Sequence, residues 1–405
     1  MDANVIKKQK IYAYLGAMLT PQMFIGPILV FFYLNYLNIT FSEYLYIDGL
    51  LFICVAVTEL PSGFIADLFG RKRTLIVSKV LILLSMLILF FIRSFYGGLI
   101  SCIVLAFASS LGSGNAEAIL YESFQKYDDL ESYKKLVANK NSLYLIIAAI
   151  VSISSGYIAK YNLELILILD IIIVLFSIIT TQLFLIDESM GAFKRTQLCG
   201  KSLIKDIRNI SNGLNNVLLV FIISSFIFCF FRVSYSFYQP LYENREVSVE
   251  YYGILGAIFN GLAALGSYLY VKIYKNITSE FITILSFLLI LLFSVIGILL
   301  VKNYVFVVFI FIQQIIRGTA TPFLNVTTNA YIPTDTEFRT TYISVKSSIS
   351  TIIVSASMFI MGYMNNNMSI ENSMVIFSLS MIVCIFVAAL FNNHARKNNK
   401  IIKYS

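Results

Sequence analysis

The chain has 405 residues, 58% of them hydrophobic and 13% charged, with a formal net charge of +8. A water-soluble domain is about half apolar and about a quarter charged, so no aqueous core hides this much Ile, Leu and Phe and the solvent must be largely lipid. The sole histidine, His394, sits in a basic C-terminal tail; neither a metal site nor a His-based catalytic arrangement can be assembled from it, which argues against an enzyme, and no cofactor is expected.

Apolar runs of about 18 residues or more recur, each long enough to cross roughly 30 Å of hydrocarbon as a helix. Alternating barrel patterning is absent, so helices are the only spanning option. The predicted spans are Ile11–Leu34, Tyr44–Ala66, Leu75–Ile92, Gly98–Tyr121, Ala138–Ala159 and Leu163–Ile186, then Val217–Leu241, Tyr252–Tyr274, Phe281–Val301, Val305–Asn325, Tyr342–Met364 and Met374–Phe391. The fold class is therefore an all-α integral membrane protein with twelve transmembrane helices in two six-helix halves. The domains read as 1–190, a cytoplasmic linker 191–215, and 216–405 with a short cytoplasmic tail.

On this map the side holding both termini is assigned 24 of the 30 Lys and Arg. The opposite loops carry only Arg93, Lys160, Arg245 and Lys302, while Arg232 and Arg317 lie within spans. Basic residues stay on the cytoplasmic side, so both termini are expected in the cytoplasm. The positive charge then faces anionic lipid, and no nucleic-acid partner is expected. The five cysteines show no pairing pattern and read as packing residues. Gly200-Lys201-Ser202 lacks the earlier glycine of a phosphate-binding loop, because Arg195 stands in its place.

Between the second and third spans lies Gly63-Phe64-Ile65-Ala66-Asp67-Leu68-Phe69-Gly70-Arg71-Lys72-Arg73. Gly63 permits close approach of a neighbouring helix, Gly70 suits a turn that ends a helix, and the three cations sit in the headgroup zone. The Gly-x-x-x-Asp-x-x-Gly-Arg-Lys-Arg spacing resembles the signature loop of the major facilitator superfamily. Glu59 to Gly63, Gly114 to Ala118 with Tyr121 to Ser123, and Asn329 to Pro333 with Arg339, Thr340 and Ser344 resemble segments of a bacterial drug-efflux-like branch. The fourth span lacks that branch's arginine, with Ala108 at the corresponding position, and Ser154-Ser155-Gly156-Tyr157 lacks its fifth-span proline.

The resemblance implies a conformational latch built from Gly63, Asp67, Gly70, Arg71, Lys72 and Glu122. In it the aspartate contacts the eleventh span, and the arginine pairs with the acid at the inner end of the fourth. Aligning Gly266 with Gly63 gives a degenerate second-half copy, with Tyr270 where Asp67 stands and Lys275 against Lys72. Two parallel six-helix halves moving by alternating access are implied as well.

Ionisable residues inside a membrane are costly and mark function by default. Glu59 lies eight residues from Asp67, so about 12 Å deeper at about 1.5 Å per residue. Glu59 or Glu117 is a candidate protonatable carboxylate, with Arg317 as a nearby cation; a static pair is the competing reading. Gln22, Asp48, Arg232, Tyr235, Gln239, Gln314 and Asn325 are candidates for the substrate cavity or outer gate. Arg232 either pairs with Asp48 or contacts an anionic substrate. Asp170, alone among isoleucines, reads as structural. Pro21, Gly26 and Pro27 are expected to break the first span, and Gly318 and Pro322 the tenth.

The expected function is proton-coupled export of a small amphipathic or hydrophobic compound. The first alternative is a proton symporter importing a polar nutrient such as a sugar, the second a membrane receptor or assembly partner without flux. The expected partners are the substrate, protons or another coupling ion, and the lipid bilayer. The protein is expected to act as a monomer in a bacterial plasma membrane.

Overall fold

The computed structural model describes residues 2–187, 200–273, 279–332 and 339–402. These residues are almost wholly helical, with no strand among them. In order the helices are α1 (Asp2–Met18), a 3-10 turn (Gly26–Ile28), α2 (Leu29–Tyr36), α3 (Phe41–Phe69), α4 (Arg71–Phe91), α5 (Phe95–Gly112), α6 (Asn115–Lys126) and α7 (Leu130–Tyr161). There follow α8 (Leu163–Phe184), α9 (Gly200–Asn244), α10 (Glu250–Ile273), α11 (Glu280–Leu300), α12 (Phe306–Tyr331), α13 (Arg339–Asn365) and α14 (Ile370–Ile402). Among the described residues eleven helical stretches are long and apolar enough to cross a membrane, and Gly26–Tyr36 is a shorter apolar one.

The differences from the twelve predicted spans have local causes. The first span is not one helix: α1 stops at Met18, and Gln22, with φ of 58°, lies in the turn that follows. Pro21, Gly26 and Pro27 remove donors or favour turns there. The fourth span is interrupted as well, because Gly114 takes φ of 71° and separates α5 from α6. Helix α9 starts at Gly200, within the stretch read as linker. Four of the described helix starts are capped by side chains. Thr40 and Glu43 form a reciprocal capping box at α3, while Ser94, Asp129 and Asn162 cap α5, α7 and α8.

Two compact units result. The first comprises residues 1–195 and 248–257, the second 196–247 and 258–405. In the first, Tyr12, Leu75, Ile119, Leu120, Phe124 and Leu136 form a buried cluster from α1, α4, α6 and α7. Gln9, fully buried on α1, donates to Ser123 Oγ at 2.9 Å and to the Ile186 carbonyl at 2.7 Å. In the second, Phe230, Phe287, Leu291, Phe323 and Ile385 join α9, α11, α12 and α14 around one apolar core. Cys54, Cys102, Cys229 and Cys384 are free thiols, and Cys199 lies outside the described residues.

Candidate functional site

At the junction of α3 and α4 a single glycine turns the chain. Gly70 has φ of 89° and donates its N–H to the Ala66 carbonyl at 3.0 Å; a side chain is strained in that backbone region. The same residue opens α4, whose first turn carries Arg71, Lys72 and Arg73 in sequence. Three positive charges at a helix N-terminus oppose the helix dipole, and acids answer two of them. Arg71 Nη1 pairs with Glu122 Oε1 on α6. The Lys72 backbone N–H donates to Asp187 Oδ2 at 3.1 Å, and its Nζ donates to the Gln182 carbonyl at 3.0 Å. Nothing in the sequence points to Asp187 as the partner of this amide. Gly63 and Asp67 lie on α3, but their surroundings fall outside the described residues.

The buried charges distribute differently from the expected pairing. Glu59 is half-buried on α3 with no ion pair among the described residues. Its neighbour Thr58 shares a hydrogen bond of 2.6 Å with Ser110 of α5. Glu117 stands in the first turn of α6, exposed, with Lys140 Nζ of α7 at 3.8 Å. Its carboxylate follows the Gly114 break instead of continuing a spanning helix, and its described cation is Lys140. Arg317 Nη2 donates to Asn260 Oδ1 at 3.5 Å. Asp48 is buried on α3 within electrostatic reach of Tyr33 and Cys102. Arg232 Nη1 donates to Ser236 Oγ one turn on at 3.0 Å.

One intramembrane cation was missed. Lys79 of α4, assigned on the sequence map to the cytoplasmic side, is buried. Its Nζ donates to the Ser177 carbonyl at 3.2 Å, Ser177 Oγ at 2.7 Å and Thr181 Oγ1 at 2.5 Å, and lies 5.6 Å from the Tyr12 ring centre. No carboxylate pairs with it among the described residues. The ammonium is held by neutral groups of α8 and the Tyr12 ring of α1, so its desolvation is not offset by an opposite charge. Lys79→Met is therefore expected to be at least as stable as the parent, by up to about 1 kcal/mol. Thermal unfolding in detergent checks this; a marked loss would make the ammonium a necessary clamp.

In the second unit two of the candidate cavity residues, Tyr235 and Gln314, join an aromatic and amide cluster around Tyr238. Tyr238 stacks edge-on with Tyr235 at 6.1 Å and with Phe259 at 5.7 Å, and Phe259 with Phe311 at 5.9 Å. Tyr238 donates its hydroxyl to Gln313 Oε1 at 2.5 Å, and Gln313 Nε2 donates to Ser294 Oγ at 3.1 Å. Gln314 Nε2 reaches the Tyr238 hydroxyl at 3.4 Å, and Gln314 Oε1 is buried with no hydrogen-bond partner among the described residues. An orphaned buried acceptor is costly. Gln239 is buried on α9, and Asn325 is exposed on α12 with its backbone carbonyl accepting from Asn329 at 2.8 Å.

Further ion pairs sit at helix ends within each unit. Arg93 meets Glu164 at 2.8 Å, Arg245 meets Glu371 at 3.0 Å, and Lys160 pairs with Glu250. Among the described residues no cluster of His, Cys, Asp and Glu assembles into a metal site.

Residues 12–345 match the sequence profile of the Major Facilitator Superfamily. Among solved structures the chain is similar to a mutant of the nucleoside transporter NupG, with a TM-score of 0.73 at 11% identity, covering 96% of this chain and 99% of that one. It is also similar to a D-xylose-proton symporter, with a TM-score of 0.67 at 12% identity, covering 96% of each chain. The peptide transporter POT in complex with sulfate gives a TM-score of 0.69 at 12% identity, covering 98% of this chain and 94% of that one. Identities this low speak to fold alone. No curated protein matches in sequence.

Proposed function

This chain belongs to the major facilitator superfamily, and from that premise we propose that it exports a small amphipathic compound in exchange for protons by alternating access. The setting is a bacterial plasma membrane with both termini cytoplasmic, and the monomer is the working unit. The observation that carries the substrate class is the Tyr235, Tyr238, Phe259 and Phe311 cluster with the orphaned Gln314 Oε1 beside it. Rings supply apolar contact and the amides a few oriented polar groups, the usual composition of a small-molecule site.

A second reading, proton-coupled import of a polar nutrient, draws support from the Tyr238–Gln313–Ser294 hydrogen-bond chain. The D-xylose-proton symporter and the nucleoside and peptide transporters of similar fold make that reading concrete.

For coupling, Glu59 is the better candidate of the two acids. Glu59 is half-buried on a spanning helix with no described countercharge, whereas Glu117 is exposed and faces Lys140. Arg71 and Glu122 act as one half of the latch that holds one access state closed. An exposed pair of this kind contributes about 0–1 kcal/mol, which is sufficient to shift a two-state equilibrium about fivefold.

Reconstitution in proteoliposomes with an internal pH-sensitive dye tests the proposal. A panel of hydrophobic cations, neutral antibiotics, nucleosides and sugars is added under an imposed pH gradient. One compound class is expected to trigger proton movement, which Glu59→Gln abolishes. Arg71→Glu and Glu122→Arg should each slow it up to about fivefold and the double variant should recover most of it, since the swap restores attraction. Flux from sugars or nucleosides alone, running inward with protons, would favour the import reading. An absence of compound-dependent flux with folded protein would sink proton coupling.

A further inference from the structure

A cleft of about 740 Å3 lies between α1 and the turn that joins α6 to α7. Along α1 its wall is Lys7, Lys10, Ile11 and Tyr14, positions spaced three, four and seven from the first, so they share one helical face. Across from them stand Tyr127 and Asp129. Neither lysine has an ion pair among the described residues. The carboxylate in the wall is already committed, since Asp129 Oδ1 accepts the Ser132 N–H at 3.3 Å to start α7.

We propose that this cleft binds the phosphate group of an anionic inner-leaflet phospholipid, with Lys7 and Lys10 as its cations. Depth favours a lipid. The apolar run begins at Ile11, and at about 1.5 Å per residue Lys7 lies about 6 Å outside it, at headgroup level. Tyr14 and Tyr127 are of the type that seats at the water–hydrocarbon boundary. Two ammonium groups and one carboxylate give the wall a net charge of one, the complement of a phosphodiester monoanion. Ile6 and Ile11 supply apolar surface beside it, suited to the first atoms of an acyl chain. Basic pockets among helices on the cytoplasmic side are the usual seats of such headgroups. The placement in the inner leaflet rests on the cytoplasmic termini proposed above; binding itself does not depend on transport or on its direction.

The test is lipid retention by the full chain in a neutral detergent, followed by native mass spectrometry after delipidation and titration with phosphatidylglycerol. Phosphatidylcholine and inorganic phosphate are the comparison arms. Phosphatidylglycerol is expected to be retained in preference to phosphatidylcholine, and Lys7→Gln with Lys10→Gln to weaken it at least about tenfold. Lys7→Arg with Lys10→Arg should preserve retention. Lys134→Gln with Lys135→Gln, on neighbouring α7, should leave it unchanged. Displacement of the lipid by millimolar inorganic phosphate would support the same anion site while making a soluble phosphate its ligand. Equal retention in the double Gln variant, equal retention of phosphatidylcholine, or an equal loss in the Lys134 and Lys135 control would overturn the proposal.

Discussion

Asp170→Ala will cost the protein about 2–6 kcal/mol of stability, from two buried donors at about 1–3 kcal/mol each. The side chain is fully buried on α8. Its Oδ1 accepts the Phe24 N–H at 3.1 Å and its Oδ2 the Ile25 N–H at 2.9 Å. Those amides sit just before the 3-10 turn at Gly26–Ile28, where α1 has ended and α2 has not begun. The start of a helical segment leaves its first N–H groups without partners in the chain, and in the membrane interior no water replaces them. The carboxylate therefore allows the first span to break at membrane depth. Three variants separate the causes. Asp170→Asn keeps one acceptor and should lose roughly half as much. Asp170→Leu fills the volume but accepts nothing, so it should fall close to Asp170→Ala. Melting curves in detergent measure all three. A leucine variant as stable as the parent would show that the two hydrogen bonds contribute nothing and that the break is held by packing alone.

The same residue shows how far the sequence could be read. A lone acid among isoleucines is anomalous in lipid, so a structural role was legible. Its partners were not, because they are backbone amides some 145 residues away and no side chain marks them. The break itself was legible, since Pro21, Gly26 and Pro27 announce it chemically. The break at Gly114 was not read: Gly112 and Gly114 stand in a short polar stretch at the end of an apolar run, and only the fold shows φ of 71° at the second. Hence Glu117 was placed as a membrane-embedded acid and instead starts an exposed turn beside Lys140. Lys79 escaped for a related reason. Charge counted by side of the membrane carries no depth, and only the fold sets Ser177 and Thr181 of α8 around its ammonium. The spans were easier, because lipid dictates long apolar runs wherever a helix must cross. The Arg71–Glu122 contact joins positions 51 residues apart; the family resemblance, not the spacing, named that pair.

Gly318→Val will be more damaging than adding three carbons normally is in a core. Gly318 of α12 and Gly266 of α10 pack reciprocally, backbone against backbone. A Cβ built on Gly318 lies 1.9 Å from the Ala263 carbonyl oxygen, and one built on Gly266 lies 2.2 Å from that of Ile315. Neither obstacle is a side chain that can rotate away, so the two helices must separate by more than 1 Å before alanine fits. Separation breaks more than packing. Ser267 Oγ donates to the Gly318 carbonyl at 2.8 Å and Thr319 Oγ1 to the Gly266 carbonyl at 3.3 Å. Small residues that admit close backbones are a main source of helix association in lipid, where no hydrophobic force between helices substitutes for them. Overpacking a tight contact costs about 1–3 kcal/mol, and the two hydrogen bonds add about 0.5–1 kcal/mol each. Gly318→Ala should therefore lose about 2–5 kcal/mol by these terms, and Gly318→Val should fail to yield monodisperse protein in detergent. The reciprocal geometry makes a sharper demand. Gly266→Ala and the double alanine variant must be coupled, the second substitution costing less than it does alone, because helices already forced apart have room for another methyl. Strict additivity in melting free energy would mean that each glycine answers to a separate contact, and the paired approach of α10 and α12 would not be what holds them.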